Sequence, residues 1–223
     1  MPKPTFLQLP DDKRNRFVEA ALFEFSEHSY DMASVSRLVQ TLGIAKGSIY
    51  QYFGDKFELF AWLLDEAGRR KVAALGGLEP TEAADVFTTL RGMYASGLQF
   101  WRAEPRWASL GLRVHEPSRE PRLVALRERF AAGAHAFVRG LLAAGQEAGD
   151  VAPEADLDTL AHLVTAMLSV GLRDAFLARA GLAPGQLPER PLEIADRDLE
   201  SIVDATMGLL ETGLRREAVA SRA

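Results

Sequence analysis

The stretch SVSRLVQTLGIAKGSIYQYF, residues 34–53, decides the fold. Ser34 is placed as an N-cap, its hydroxyl accepting from a backbone N–H two or three residues on. Arg37 stands where a capping-box Glu would be, so only half of that motif is present. Val35, Leu38 and Leu42 recur at spacings of three and four, one face of a short helix. Gly43 can take the left-handed conformation that closes a helix and turns the chain, and Ile44 can plug the turn. A second short helix starts at Ala45 or Lys46, with Ile49 and Phe53 on its inner face. Upstream, Asp11 to His28 reads as a longer helix, with Phe17, Ala21 and Phe25 four apart and Val18 and Leu22 widening the face. Asp11 and Asp12 are placed to cap its start. Two short helices on a glycine turn, propped by a preceding helix, make the helix-turn-helix plan.

Once Ile49 and Phe53 point inward, Lys46, Ser48, Tyr50, Gln51 and Tyr52 are left outside, and Gly47 lets a partner approach closely. These chemistries suit a major groove. Lysine donates to guanine edges or phosphate, glutamine reads adenine, hydroxyls donate to phosphate, and a tyrosine ring meets a thymine methyl. Lys56 begins the next helix, where its charge and the free N–H groups suit a phosphate. A plain helical hairpin with a solvated face is the competing reading.

Residues 14–60 resemble the N-terminal DNA-binding domain of the tetracycline-repressor (TetR/AcrR) regulators. The likeness runs through Ala20-Ala21, Phe25, Tyr30, Ser34-Val35, Leu38 and Gly43-Ile44. It continues through Lys46-Gly47-Ser48-Ile49-Tyr50-Gln51-Tyr52-Phe53 to Asp55-Lys56 and Leu59. Three positions depart from the family pattern. Ser29 stands where the family usually has Gly. Ala45 replaces a Ser, Thr or Pro at the start of the second helix, which removes one cap. Glu24 occupies a commonly apolar position, with Phe23 beside it to compensate. The resemblance implies an all-α homodimer that binds a palindromic operator in double-stranded DNA, usually to repress. It also implies a variable C-terminal domain that dimerises and binds a small-molecule effector. By position, Lys46, Gly47, Ser48, Tyr50, Gln51, Tyr52 and Lys56 inherit DNA contacts, and Ser34 a phosphate contact.

The rest of the chain agrees with an all-α fold. Its 223 residues hold 34 Ala and 31 Leu against 13 Val and 4 Ile, a balance of helix formers over β-branched residues. Helices are expected at Lys56 to about Leu75, Thr81–Ala103, Pro105 to about His115, Arg122–Glu147, Asp156–Ala180 and Asp196–Arg216. Gly181–Pro191 reads as a surface loop, and the Arg-rich stretch from Arg113 to Arg129 as solvated surface. The division expected is a DNA-binding domain, residues 1–55, and an effector-binding and dimerisation domain, residues 56–223. The net charge of −5 makes the whole chain no polycation, so DNA binding must come from a local surface. Residues 1–60 hold seven Lys/Arg and eight Asp/Glu, yet between Met32 and Gly54 there are two basic residues and no acid.

The two helices within residues 156–180 and 196–216 carry apolar stripes with small residues among them. The family resemblance assigns them to a four-helix dimer bundle; packing on their own domain explains the stripes equally well. Met93, Tyr94, Trp101, Trp107, Phe137 and Phe176, with His115 as a polar group, are the candidates for an apolar effector pocket, although the same spacing serves a plain core. The absence of cysteine excludes disulfides and thiolate chemistry. No metal-ligand spacing, nucleophile elbow, P-loop or dinucleotide fingerprint occurs, so neither cofactor, metal nor enzymatic activity is expected. No signal sequence and no apolar run near the roughly 20 residues of a membrane span is read, which points to the cytoplasm. An enzyme, or a protein-interaction module with a helix-turn-helix-like N-terminus, remains the alternative to a ligand-responsive repressor.

Overall fold

The computed structural model describes residues 1–74, 85–182 and 192–214. They form α1 (Pro4–Leu7), α2 (Asp11–Glu27), α3 (Val35–Leu42), α4 (Lys46–Tyr52), α5 (Lys56–Ala74) and α6 (Val86–Ala103). These are followed by α7 (Pro105–Arg113), α8 (Pro121–Ala148), α9 (Leu157–Ala166), α10 (Leu172–Arg179) and α11 (Asp196–Leu214). No β-strand occurs among the described residues. The expected helix end at Leu75, the helix start at Thr81, most of the 181–191 loop and the last turn to Arg216 lie outside them.

The chain divides into two compact units. The first contains α1–α5 through Val72, α7, and α8 through Arg129. Its core follows the predicted periodicity, with Phe17, Ala21, Leu22 and Phe25 of α2 buried against Leu38, Ile49, Phe53, Leu59, Phe60 and Leu63. The first unit is larger than residues 1–55 because α7 packs against α2. Two local expectations change. Pro10, not an aspartate, is the N-cap of α2, and no side chain caps it; Asp11 instead pairs with Arg14 one turn on. The helix α1 has no counterpart in the sequence reading. It carries Phe6, which is fully buried, with ring centroids 5.3 Å from Phe17, 5.0 Å from Phe53 and 5.2 Å from Trp62.

The second unit contains α6, α8 from Phe130, and α9–α11. Leu90, Tyr94, Leu98 and Trp101 form the buried stripe of α6. Trp101 lies 6.1 Å from Phe176 of α10, and a Cβ on Gly97 would stand 3.3 Å from the Leu172 side chain. Arg91 pairs with Asp204 at 2.6 Å and Arg102 with Asp196 at 2.7 Å, tying α6 to α11. The single helix expected over 156–180 is interrupted by a π turn at Met167–Gly171. There the Ser169 hydroxyl donates to the carbonyls of Thr165 at 2.9 Å and Ala166 at 3.3 Å. Such back-bonding competes with the helical ladder and widens the turn.

The Phe6 cluster is a clear test of the first unit. Removing a buried phenylalanine ring costs about 3–5 kcal/mol. Phe6→Ala should lower the unfolding free energy by that amount in urea melts followed by circular dichroism. A loss under about 1 kcal/mol would mean that α1 merely rests on the surface.

Candidate nucleic-acid interface

The helix pair is built as its sequence predicts. The Ser34 hydroxyl accepts from the Arg37 N–H at 3.3 Å, which leaves its own O–H free to donate. Gly43 closes α3 with φ +66°, and the Ile44 N–H returns to Val39 O at 3.1 Å. Ile49 and Phe53 are completely buried. No side chain caps α4 at Ala45, as the missing hydroxyl at that position implies.

On the outer side Lys46, Gly47, Tyr50 and Gln51 are exposed and Ser48 is half-buried. A Cβ on Gly47 would meet nothing within 4 Å, so a base or phosphate has free approach there. Tyr52 differs from expectation. Its ring stands edge-on to Phe17 at 5.5 Å and tilted against Phe6 at 5.9 Å. Most of that ring is therefore bound into the aromatic core behind α4.

Lys56 is also drawn inward. Its ammonium donates to Tyr30 O at 2.8 Å and Ala33 O at 3.2 Å, and it lies 4.4 Å from the Tyr30 ring centre. Burial holds its pKa below the usual lysine value. The N–H groups at the start of α5 are not open to a phosphate as expected. Asp55 Oδ1 accepts from the Glu58 N–H at 2.8 Å, and Glu58 Oε2 from the Gly54 N–H at 3.0 Å. The Asp-x-x-Glu spacing of residues 55–58 is the sequence signal for this capping arrangement.

Glu24 finds a partner other than Phe23. Its buried carboxylate accepts from the Ser34 N–H at 2.6 Å and from Arg37 at 2.9 Å through Nε and 2.5 Å through Nη2. Burial alone would raise its pKa; the Arg37 hydrogen bond and the Ser34 N–H outweigh this and hold it below the usual glutamate value. Phe23 stays exposed, 5.1 Å from the Arg106 guanidinium. Thus one of the two bases between Met32 and Gly54 is neutralised by a carboxylate ten residues before Ser34. Asp31 and Asp55 are likewise matched. Ser118 Oγ donates to Asp31 at 2.5 Å and the Arg119 N–H at 3.0 Å, while Arg122 pairs with Asp55 at 2.8 Å. Arg113 donates through Nε to Ser26 O at 3.0 Å. The stretch Arg113–Arg129, expected as solvated surface, is in part the fastening of α7 and α8 to the first unit. Residues 3–5, absent from the sequence reading of the site, reach the C-terminal end of α4.

Residues 17–63 match the family model described as bacterial regulatory proteins, tetR family. The chain is 27% identical over 209 residues to the HTH-type transcriptional repressor AcnR of Corynebacterium efficiens, covering 93% of this chain and 95% of that protein. A TetR family transcriptional regulator from Chloroflexus aurantiacus superposes with a TM-score of 0.74 at 28% identity, covering 97% of this chain and all of that one. FadR from Bacillus subtilis, solved in complex with stearoyl-CoA, shares the fold with a TM-score of 0.67 at 16% identity, over 89% of this chain and 98% of that one. Residues 17–63 thus carry the helix-turn-helix domain of the tetR family of bacterial regulatory proteins, and the chain as a whole is similar to regulators of that family. It is a DNA-binding transcriptional regulator with an N-terminal helix-turn-helix and a helical body.

In this regulator the candidate effector residues are divided between the two units. Tyr94, Trp101 and Phe176 are buried in the second unit, and Met93 is half-buried on the same helix as the first two. Phe137 is 51% exposed, which removes it from any enclosed pocket of this conformation. Trp107 and His115 belong to the first unit, where Trp107 lies under the Arg70 guanidinium at 4.5 Å. Aromatics at helical spacing look alike whichever unit receives them, so sequence could not separate these cases.

The Glu24–Arg37 pair gives the DNA-binding unit an acid limit. A carboxylate whose folded pKa is depressed stabilises the fold above its ordinary pKa of about 4.3. That contribution fades as pH falls through the lowered folded value. Arg37→Met should therefore be less stable than wild type in urea melts at pH 7, with the two converging as pH drops below about 4. A gap that stays constant to pH 3 would show that the pair does not titrate with unfolding.

Proposed function

We propose that this regulator represses transcription as a homodimer on a palindromic operator and that a small-molecule effector releases it. The exposed face of α4, Lys46, Gly47, Tyr50 and Gln51, carries this reading. It offers a donor cation, an open backbone, a hydroxyl and a bidentate amide in little more than one helical turn. In this reading Gln51 addresses a base edge, Lys46 and Ser34 hold phosphates, and Ser48 lies at the groove wall. Tyr52 acts from behind, by seating the helix. Lys56 acts mainly by binding the 30–33 turn to α5, with one ammonium hydrogen left for a phosphate. DNA recognition falls to residues 1–55 and effector binding and dimerisation to 56–223.

The dimer reading, through residues 156–180 and 196–216, is supported by apolar side chains left uncovered. Leu157–Arg179 is long and apolar enough to cross a membrane by length and composition alone, contrary to the sequence reading. Only 28% of its most apolar window is buried. Leu163, Val170 and, on α11, Leu209 are 56%, 50% and 69% exposed, and a Cβ on Gly208 or Gly213 would meet nothing within 4 Å. Apolar stripes interrupted by small residues let two helix pairs approach closely as a bundle. A dimer also supplies the two reading heads, about 34–36 Å apart, that enter successive major grooves.

In this reading the effector, an apolar or amphipathic ligand, binds around Tyr94, Trp101 and Phe176. The stearoyl-CoA bound by the B. subtilis relative supports a ligand of that kind. Release of DNA requires reciprocity, with operator weakening effector binding by the same factor. The helix α8, whose start belongs to the first unit and whose remainder to the second, and the end of α5, where the chain leaves the first unit after Val72, are covalent routes for such coupling.

Two measurements test this function. Light scattering at micromolar concentration should return about twice the 24.5 kDa chain mass; a monomer would remove the dimer and with it the palindrome. Gln51→Ala should weaken binding to a duplex selected by the wild-type protein by about 1–3 kcal/mol and relax preference at one base pair per half-site. Unchanged affinity and preference would mean that α4 does not read the groove.

A further inference from the structure

The carbonyl end of α4 is held from outside the helix-turn-helix. A helix leaves its last carbonyls without intrahelical partners, and α4 ends on Phe53 in an extended conformation rather than on a left-handed glycine. The partners come from residues 3–5. Lys3 Nζ donates to Tyr50 O at 2.6 Å, the Thr5 hydroxyl donates to Gln51 O, and the Lys3 N–H donates to Tyr52 O at 2.8 Å. Three successive carbonyls are thus taken by one short segment, and the Lys3 ammonium stands at the negative end of the α4 dipole.

The helix has little else to hold it at its ends. It is seven residues long, its N-cap Ala45 makes no side-chain hydrogen bond, and Gly47 lies in its first turn. Short helices with glycine and β-branched or aromatic residues are marginal by themselves. The arm that braces it has an anchor of its own. Lys3 and Thr5 are exposed, whereas the adjacent Phe6 is completely buried among Phe17, Phe53 and Trp62. Clamp and anchor are therefore separable by substitution.

We propose that Lys3 and Thr5 are positioning residues for DNA recognition, fixing the backbone from which the Tyr50 and Gln51 side chains reach the groove. The proposal rests on α4 being the groove helix. Neither residue needs to touch DNA. Loosening the clamp leaves every phosphate-binding cation of the reading face in place, but lets the base-reading side chains sample more orientations. The loss falls on sequence discrimination, not on general affinity.

The test uses Lys3→Met, which keeps the aliphatic stem, and Thr5→Val, which keeps the shape, singly and together, with Lys3→Arg and Thr5→Ser as conservative variants. Amide hydrogen exchange of the free protein reads the clamp directly. Affinities for a duplex selected by wild type from a random pool, and for a scrambled duplex, are measured across a salt series. In the double variant α4 amides should exchange about tenfold or more faster while α2 keeps its protection. The selected-to-scrambled affinity ratio should fall about tenfold with the scrambled affinity and salt slope unchanged, and the conservative variants should restore both readouts. Unchanged exchange in α4 overturns the proposal. So does a Lys3→Met effect equal on both duplexes with a salt slope lower by about one, which would make Lys3 a phosphate contact. If wild type selects no duplex at all, the groove reading of α4 is what fails, and the exchange result still decides whether the arm braces it.

Discussion

A seven-residue helix cannot hold itself in place, and the DNA-binding unit is organised around that constraint. Nucleation consumes most of the hydrogen bonds such a helix can make. Orientation has to come from burial behind it and from bonds at its ends. Ile49 and Phe53 enter the core completely, and Tyr52 adds its ring to the cluster of Phe6, Phe17 and Phe53. The aromatic content of this small unit thus has a mechanical meaning. Large flat rings with few rotamers seat a short element more firmly than an equal area of flexible side chains. The exposed face of α4, which we propose meets DNA, is then free to be polar, since its side chains are not required for packing.

Electrostatics follows from the same arrangement. The first 60 residues have slightly more acids than bases, a poor balance for a surface that meets phosphates. The structure resolves this by matching acids within the unit. Glu24 is taken inside with Arg37, Asp31 receives Ser118 and Arg119, and Asp55 receives Arg122 while capping α5. Each match joins two segments, so satisfying the acids also fastens α3 to α2 and the start of α8, with the turn before it, to the rest of the unit. The Glu24 match withdraws Arg37, and the Tyr30 and Ala33 carbonyls withdraw much of Lys56, from the cations this unit exposes. Lys46 remains exposed on α4.

In the second unit the core is apolar, and Leu163 and Val170 on the 157–179 segment and Leu209 on α11 are uncovered. In the proposed dimer this apolar stripe is the face on which a second copy would pack. The π turn between α9 and α10 shifts the register of that stripe halfway along, so that the two halves of the 157–179 segment do not present one straight face. Any partner helix has to follow this change of direction.

Local periodicity and turn chemistry determined most of the helix-turn-helix. The Ser34 cap, the left-handed Gly43, the inward Ile49 and Phe53 and the outward Lys46, Tyr50 and Gln51 were all legible, because each depends on neighbours within one or two turns. The all-α class was legible from composition for the same reason, helix propensity being a property of single residues. What only the tertiary structure decided are pairings across tens of residues. Phe6 in the aromatic core, Lys3 and Thr5 at the end of α4, Glu24 with Arg37, Lys56 on the Tyr30 carbonyl and Trp107 in the first unit have no periodic signature. A charged or aromatic side chain looks the same in sequence whether it faces water, DNA or a partner fifty residues away. Its role is set by which distant group the folded chain brings within hydrogen-bond or packing distance.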